Sequence, residues 1–299
     1  MGSFNRLSNE ALQGQTNRLL GYPADARLLI INADDFGMCH AVNAAIFGAL
    51  QEGIAQSTTL MVPCPWALHA MHFLADHPEI PFGVHLTAIS DWEEYRWGPL
   101  TPRERVPTLL NAEGTFHNFQ QMPEFLAHVS FDELETEFRA QIEAVLAAGL
   151  QPTHLDWHAL RLKNRQDISA LMLGLAREYG LALRVADQSW GEQVQNQGLP
   201  ANDYDLLDSY LVDPATKADL YVELLRNLPA GLSEWAVHPG VDNAELQTID
   251  PGGSYNRQTD FDFLTSQQTK DVIKEEGIIL LNYRALQAIW KETQLQRKP

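Results

Sequence analysis

The chain has 299 residues and a formal net charge of −18, with 45% hydrophobic and 20% charged side chains. Such a composition supports a sizeable core in a soluble globular protein. The negative field excludes nucleic acid and anionic membrane as partners, since both need positive charge. Cys39 and Cys64 make neither a disulfide framework nor a CxxC zinc motif, which fits a reducing compartment.

The N-terminal stretch lacks the apolar core of a secretory leader, and no apolar run approaches the roughly 18 residues of a membrane span. A cytoplasmic location is therefore expected. Residues 1–24 read as an N-terminal extension and 25–299 as a single domain, with no Pro-, Gly- or Ser-rich linker to divide it. The first strand is predicted at 28–33, in "LLIINADDFG". The helix that follows, "AVNAAIFGALQEG", has apolar residues at helical spacing and stops at a glycine. Further strands are predicted at 58–62, 82–86, 153–157, 182–185, 234–238 and 278–281. The helices "FDELETEFRAQIEAVLAAG" (Asp132 as N-cap), "DISALMLGLAREYG" and "TSQQTKDVIKEEG" each end in glycine. Nearly all-apolar strands alternating with helices indicate an α/β fold with a parallel sheet covered by helices. Seven such strands fit an irregular (β/α) barrel lacking one unit better than an open sheet. Two long irregular loops are expected at 87–130 and 186–213. Loops of that length usually serve binding, and Trp92, Tyr95, Trp97 and Trp190 would suit stacking on sugar rings.

In α/β barrels the site lies at the carboxyl ends of the strands. Asp34 and Asp35 follow the first strand, and His85 ends "PFGVHL". His154, Asp156 and His158 alternate through "PTHLDWH", Arg184 ends "LALRV", and His238 ends "EWAVHPG". Two adjacent carboxylates raise each other's pKa unless a cation separates them. One Asp with two His from other strands is a good divalent site, suited to zinc and its first-row neighbours and leaving positions open. The second Asp can then act as base toward a metal-activated water. Either His154 or His158 could be the third ligand. Arg184 is the candidate partner of Asp34, and Asp260 that of His238. "DFG" lacks the Gly-rich and HRD loops of a kinase, and no P-loop, GxGxxG or GxSxG occurs.

The series "INADDFGMCHAVNAAI", "STTLMV", "GVHL", "PTHLDWH", "RV", "HPG", "RQTDFDFLTS" and "GIILLNYRAL" resembles, in order from about residue 28 to 286, the YdjC-type carbohydrate deacetylases (the ChbG/HpnK-like group). The resemblance implies a (β/α) barrel related to NodB-like polysaccharide deacetylases, and a hydrolase removing the N-acetyl group from an amino sugar or short glycan. It implies one divalent metal ion, Zn2+ or Mg2+, held by Asp35, His85 and His158, with Asp34 as base and His238 as acid. His158 is preferred to His154 because it lies nearer the strand tip. Trp157 stands where the family often has a small residue and the family's later histidines are absent, so the substrate shape near Trp157 is expected to differ. Trp157, Trp97, Trp190 and Asp260 are taken as lining the substrate site. The competing readings are a metal-dependent hydrolase or lyase acting on another acylated small molecule, and a non-catalytic carbohydrate-binding protein. Oligomeric state is left open, a homo-oligomer included.

Overall fold

In the computed structural model, which describes residues 14–162, 165–210 and 212–297, the strands are β1 (Arg27–Phe36), β2 (Ser57–Leu60), β3 (Phe82–Leu86), β4 (Ile89–Ser90), β5 (His117–Asn118), β6 (His154–Trp157), β7 (Ala182–Leu183), β8 (Leu207–Asp208), β9 (Gly231–Val237) and β10 (Ile279–Leu281). The main sheet is parallel throughout and runs β7-β6-β3-β2-β1-β9-β8. Followed round from β1, the staves come in chain order, and each is followed by a helix before the next stave begins. The end strands β7 and β8 form no pair, but the Leu206 N–H donates to the Ala186 carbonyl across the seam. This is the irregular seven-stranded (β/α) barrel that the strand pattern predicts.

One stave is not the predicted one. The strand expected at 278–281 forms as β10, but it shares one edge of β1 with β2, pairing at Leu28–Ile30 while β2 takes Asn32 onward. The seventh stave is β8, inside the loop expected at 186–213, which also holds a helix, Gln188–Gln195. Two residues, one of them the exposed Asp208, are too short for a period-two pattern to register.

β1 is buried on both faces because helices cover a parallel sheet outside and the barrel fills inside. Leu28, Leu29, Ile30 and Ile31 are all buried, each contributing on the order of 1.5–3 kcal/mol. The helix Gln166–Tyr179 stops where predicted, because Gly180 takes the left-handed conformation (φ 67°) that closes its last turn. The helix Phe131–Ala147 starts two positions before expectation, with Ser130 rather than Asp132 as N-cap, which leaves Asp132 in the first turn. Of the expected extension, residues 1–13 lie outside the described residues. Gln15–Leu20 is a short helix whose Thr16 bonds the Ala201 carbonyl and accepts from Gln195 Nε2 at 3.0 Å. Among the described residues no helix is long and apolar enough to cross a membrane.

The 87–130 segment is ordered by one stripe of its neighbouring helix. Glu133 accepts from the Thr108 N–H (2.7 Å), and Glu137 accepts from the Leu100 and Thr101 N–H groups (3.1 and 3.0 Å). Gln141 accepts from the Thr87 N–H (2.9 Å) and donates to the Thr87 carbonyl (2.7 Å). The spacing i, i+4, i+8 puts the three on one helix face. Glu137→Ala strands the buried Thr101 amide and the part-buried Leu100 amide, and should lower unfolding stability by about 1–3 kcal/mol. Urea denaturation reads this as a shifted midpoint at unchanged slope, and an unmoved midpoint would contradict it.

Candidate functional site

The two adjacent aspartates reach the same space because β1 is bulged at its tip. Between the pairs Ala33–Thr58 and Phe36–Leu60, β1 advances three residues and β2 two, so one residue is extra. Asp35 has φ 72°, in the left-handed region. Period two alone would send Asp34 and Asp35 to opposite faces; the bulge turns both inward. After the bulge, the Gly37 N–H donates to Asn43 Oδ1 at 2.7 Å, tying the turn to the helix His40–Gln51.

Asp35 is the hub. Its Oδ1 lies 3.5 Å from His85 Nε2 and 3.2 Å from His158 Nδ1, while Oδ2 accepts from Arg257 Nη2 at 2.8 Å. All four side chains are buried. Each imidazole carries a second carboxylate on its far nitrogen. His85 Nδ1 is 2.7 Å from Asp156 Oδ1, and His158 Nε2 is 2.8 Å from Asp91 Oδ1. Burial alone would lower the His85 pKa, but Asp156 and Asp35 push it up to about 10. Burial likewise opposes charge on His158, yet Asp91 and Asp35 push it up to about 9. Burial would raise the Asp35 carboxyl, but Arg257 and the two imidazoles hold it well below the usual range.

Asp156, Asp35 and Asp91 thus form two carboxylate–imidazole chains meeting at Asp35, with Asp34 beside them. Donor atoms of Asp35, His85 and His158 lie within 4.8 Å of one another. One carboxylate oxygen and two imidazole nitrogens, 3.2 and 3.5 Å apart along the two edges at Asp35, suit ligands at roughly 2.0–2.2 Å from one ion. Far-side carboxylates that fix the imidazole orientation are the usual surroundings of such ligands. The residues present therefore fit a divalent metal ion. Asp34, His85 and Asp156 form a second close group, but Arg184 already pairs with both of its carboxylates.

Arg184 forks onto Asp34 (Nη1–Oδ2 2.7 Å, Nη2–Oδ1 2.8 Å), reaches Asp156 Oδ2 at 2.8 Å, and donates from Nε to Glu234 Oε1 at 2.7 Å. Asn32 adds a bond to Asp34 Oδ1 (2.7 Å). Burial would raise the Asp34 carboxyl; Arg184, with His85 and His238 nearby, holds it well below the ordinary range. Asp34 is therefore ionised and fixed in direction.

His238 follows β9 at the border of this cluster, its side chain 14% exposed. Its Nδ1 is 3.1 Å from Ser209 Oγ and 3.8 Å from Asp208 Oδ1. Asp260 stands behind it: one carboxylate oxygen accepts from the His238 backbone N–H (2.9 Å) and from Ser209 Oγ, the other from Lys217 Nζ (2.8 Å) and Tyr221 OH (3.0 Å).

Asp34, Asp35, His85, His158 and Arg184 thus come together as the strand-end positions suggest, with His238 adjacent. His154 does not join them. It lies deeper, stacked on Tyr283 (centroids 3.6 Å apart, 7° between planes) with Thr153 Oγ1 on Nδ1, and burial holds its pKa well below the usual value. Trp97 is buried, donates to the Ile89 carbonyl and sets its edge against His158. Trp157 and Trp190 pack on each other, both partly exposed. Asp260 is buried in its own hydrogen bonds and meets the His238 ring through Ser209. Asp91, Arg257, Ser209 and Glu234 join the site without a signal in the sequence pattern. Asp91 and Ser209 sit in irregular segments with no periodic signal, whereas Arg257 opens the "RQTDFDF" stretch.

A parallel (β/α) barrel that gathers carboxylates, imidazoles and a clamping arginine at the carboxyl rim of its strands has the layout of a barrel enzyme. The chain belongs to the YdjC-like family: the family described as YdjC-like protein matches residues 28–275. It is 33% identical over 267 residues to a carbohydrate deacetylase of Enterococcus faecalis strain V583, spanning 86% of this chain and 97% of that one. It is 29% identical over 265 residues to a chitooligosaccharide deacetylase of Yersinia enterocolitica, spanning 86% and 98%. A solved structure from Enterococcus faecalis, provisionally described as a cellobiose-phosphate cleavage protein, superposes with a TM-score of 0.73 at 30% identity, over 87% of this chain and 99% of that one.

At pH 7.5, below the raised values of both His85 and His158, the metal-free rings are protonated, and an ion can take them only as neutral imidazoles. Loading the cluster with zinc should therefore release about two protons per ion. Calorimetry in buffers of different ionisation enthalpy measures this. Release near zero would contradict the charge state derived for the pair.

Proposed function

We propose that the protein is a metal-dependent carbohydrate deacetylase that hydrolyses the N-acetyl group of an amino sugar or short glycan. The observation that carries the reading is the buried Asp35–His85–His158 group with an ionised Asp34 and a partly exposed His238 beside it. The deacetylase names of relatives aligned along nearly their whole length support the reaction class. A divalent ion held by Asp35, His85 and His158 would supply a water of lowered pKa and a Lewis acid for the acetyl carbonyl oxygen.

The chain's own groups do the rest. Asp34, kept ionised and aimed by the Arg184 fork, accepts the proton of the attacking water. His238, protonated, donates to the departing amine nitrogen, which would otherwise leave poorly as an anion. Arg257 holds the Asp35 oxygen that faces away from the imidazoles, so Asp35 presents Oδ1 to them. Trp157 and Trp190, paired and partly exposed, offer an apolar face for a sugar ring. The bulk of Trp157, where the family often has a small residue, would restrict the substrate beside it.

The test is acetate release from N-acetylglucosamine and its short oligomers by metal-reconstituted protein. Asp34→Asn and His238→Ala should each lose about a hundred- to ten-thousand-fold in kcat, with unchanged circular dichroism. Near-native turnover by either folded variant removes that residue from the scheme. Release of a sugar phosphate with no acetate would instead favour the activity provisionally ascribed to the Enterococcus faecalis structure.

A further inference from the structure

We propose that Ser209 is a positioning residue that fixes the tautomer of His238, through a relay running Lys217–Asp260–Ser209–His238. The inference follows from counting protons. Asp260 is buried, and its two oxygens receive bonds from Lys217 Nζ, Tyr221 OH, the His238 backbone N–H and Ser209 Oγ. An ionised carboxylate only accepts. Ser209 has one hydroxyl proton, and Asp260 takes it. The same oxygen lies 3.1 Å from His238 Nδ1, and with its proton committed it can only accept there. His238 must then carry a hydrogen on Nδ1.

The consequence falls on the other nitrogen. Among the described residues Nε2 of His238 has no hydrogen-bond partner, and His238 follows Val237, which pairs with Ala33, so it leaves the sheet beside Asp34. With Nδ1–H pinned by Ser209, the neutral ring keeps Nε2 as its bare lone pair. Any proton that His238 gains or gives must then pass through Nε2. A histidine free to hold its hydrogen on either nitrogen would spend part of its time in a form that cannot reload the donating atom. This deepens the deacetylase reading, in which Nε2 is the acid, but the tautomer itself does not depend on that reading.

The charged and titratable groups around the ring are few. Asp208 Oδ1, on the half-exposed side chain of the neighbouring strand, lies 3.8 Å from Nδ1 and is the rival acceptor; Tyr210 meets the ring edge-on at 5.4 Å. Asp260 and Lys217 lie behind Ser209, and Asp34 stands on the side of the cluster.

The experiment uses the full chain with 15N-labelled histidine, at a pH where the His238 ring is neutral. Two-bond 1H–15N spectra report which ring nitrogen carries hydrogen, with His238→Ala giving the assignment. The native protein should show the Nδ1–H form. Ser209→Ala should move the ring toward Nε2–H, Ser209→Thr should restore the native pattern, and Asp208→Asn should leave it unchanged. In the metal-loaded enzyme, Ser209→Ala should lower kcat by about tenfold or more with KM within about twofold, and Thr should recover it. A native ring in the Nε2–H form, or a tautomer that follows Asp208→Asn and not Ser209→Ala, overturns the relay. If the tautomer behaves as stated while no acetate is released from any N-acetylated sugar, the relay stands and the deacetylase reading falls.

Discussion

The centre of this molecule depends on one backbone conformation, the left-handed φ of Asp35 at the end of β1. A non-glycine residue there costs roughly 1–2 kcal/mol, although aspartate tolerates it better than most. The cost is offset by what the turn makes possible. Both carboxylates of the pair point into the barrel, and Asp35 meets two imidazoles and the Arg257 guanidinium at once. An untwisted β1 would bury one aspartate against the outer helices with no cation to meet it.

Around that turn, the two buried guanidinium groups divide the carboxylates between them. Arg184 serves Asp34, Asp156 and Glu234, and Arg257 serves Asp35 and, at 3.6 Å, Asp250. The imidazoles bridge the halves, His85 between Asp156 and Asp35, His158 between Asp91 and Asp35. Removing one member leaves a buried charge alone, which in other proteins costs about 3–5 kcal/mol. The barrel below supplies rigid support: Glu234 also accepts from Tyr283 OH (2.5 Å), and Tyr283 stacks on His154. The stack leaves no room beside it, since a Cβ on Gly83 would sit 2.6 Å from the His154 ring. His154 is thus a packing residue, and His158, just past the tip of the same strand, takes the place at the cluster.

Much of this was legible in the sequence. The apolar strand runs ending in Asp, His or Arg gave away both the barrel and its rim, because inward-facing charge at a strand tip has few structural uses. The choice between His154 and His158 was not decidable by period two, since both share a face; depth along the strand separates them. The β8 stave and the Gln188–Gln195 helix were hidden because two residues carry no periodicity and the helix is polar in sequence. Asp91 and Ser209 were invisible for a related reason. Their importance comes from which ring nitrogen they face, a relation set by loop paths over dozens of residues. The aromatic 87–130 segment is anchored by Glu133, Glu137 and Gln141 and reaches the cluster through Asp91 and Trp97, both against His158.

Asp35, His85 and His158 are proposed to hold one divalent ion. Anomalous diffraction from crystals grown with zinc, recorded on both sides of its absorption edge, tests it most directly. One strong peak bonded to Asp35 Oδ1, His85 Nε2 and a ring nitrogen of His158 is expected. Zinc bound elsewhere, with these three side chains still closed on one another, would contradict it.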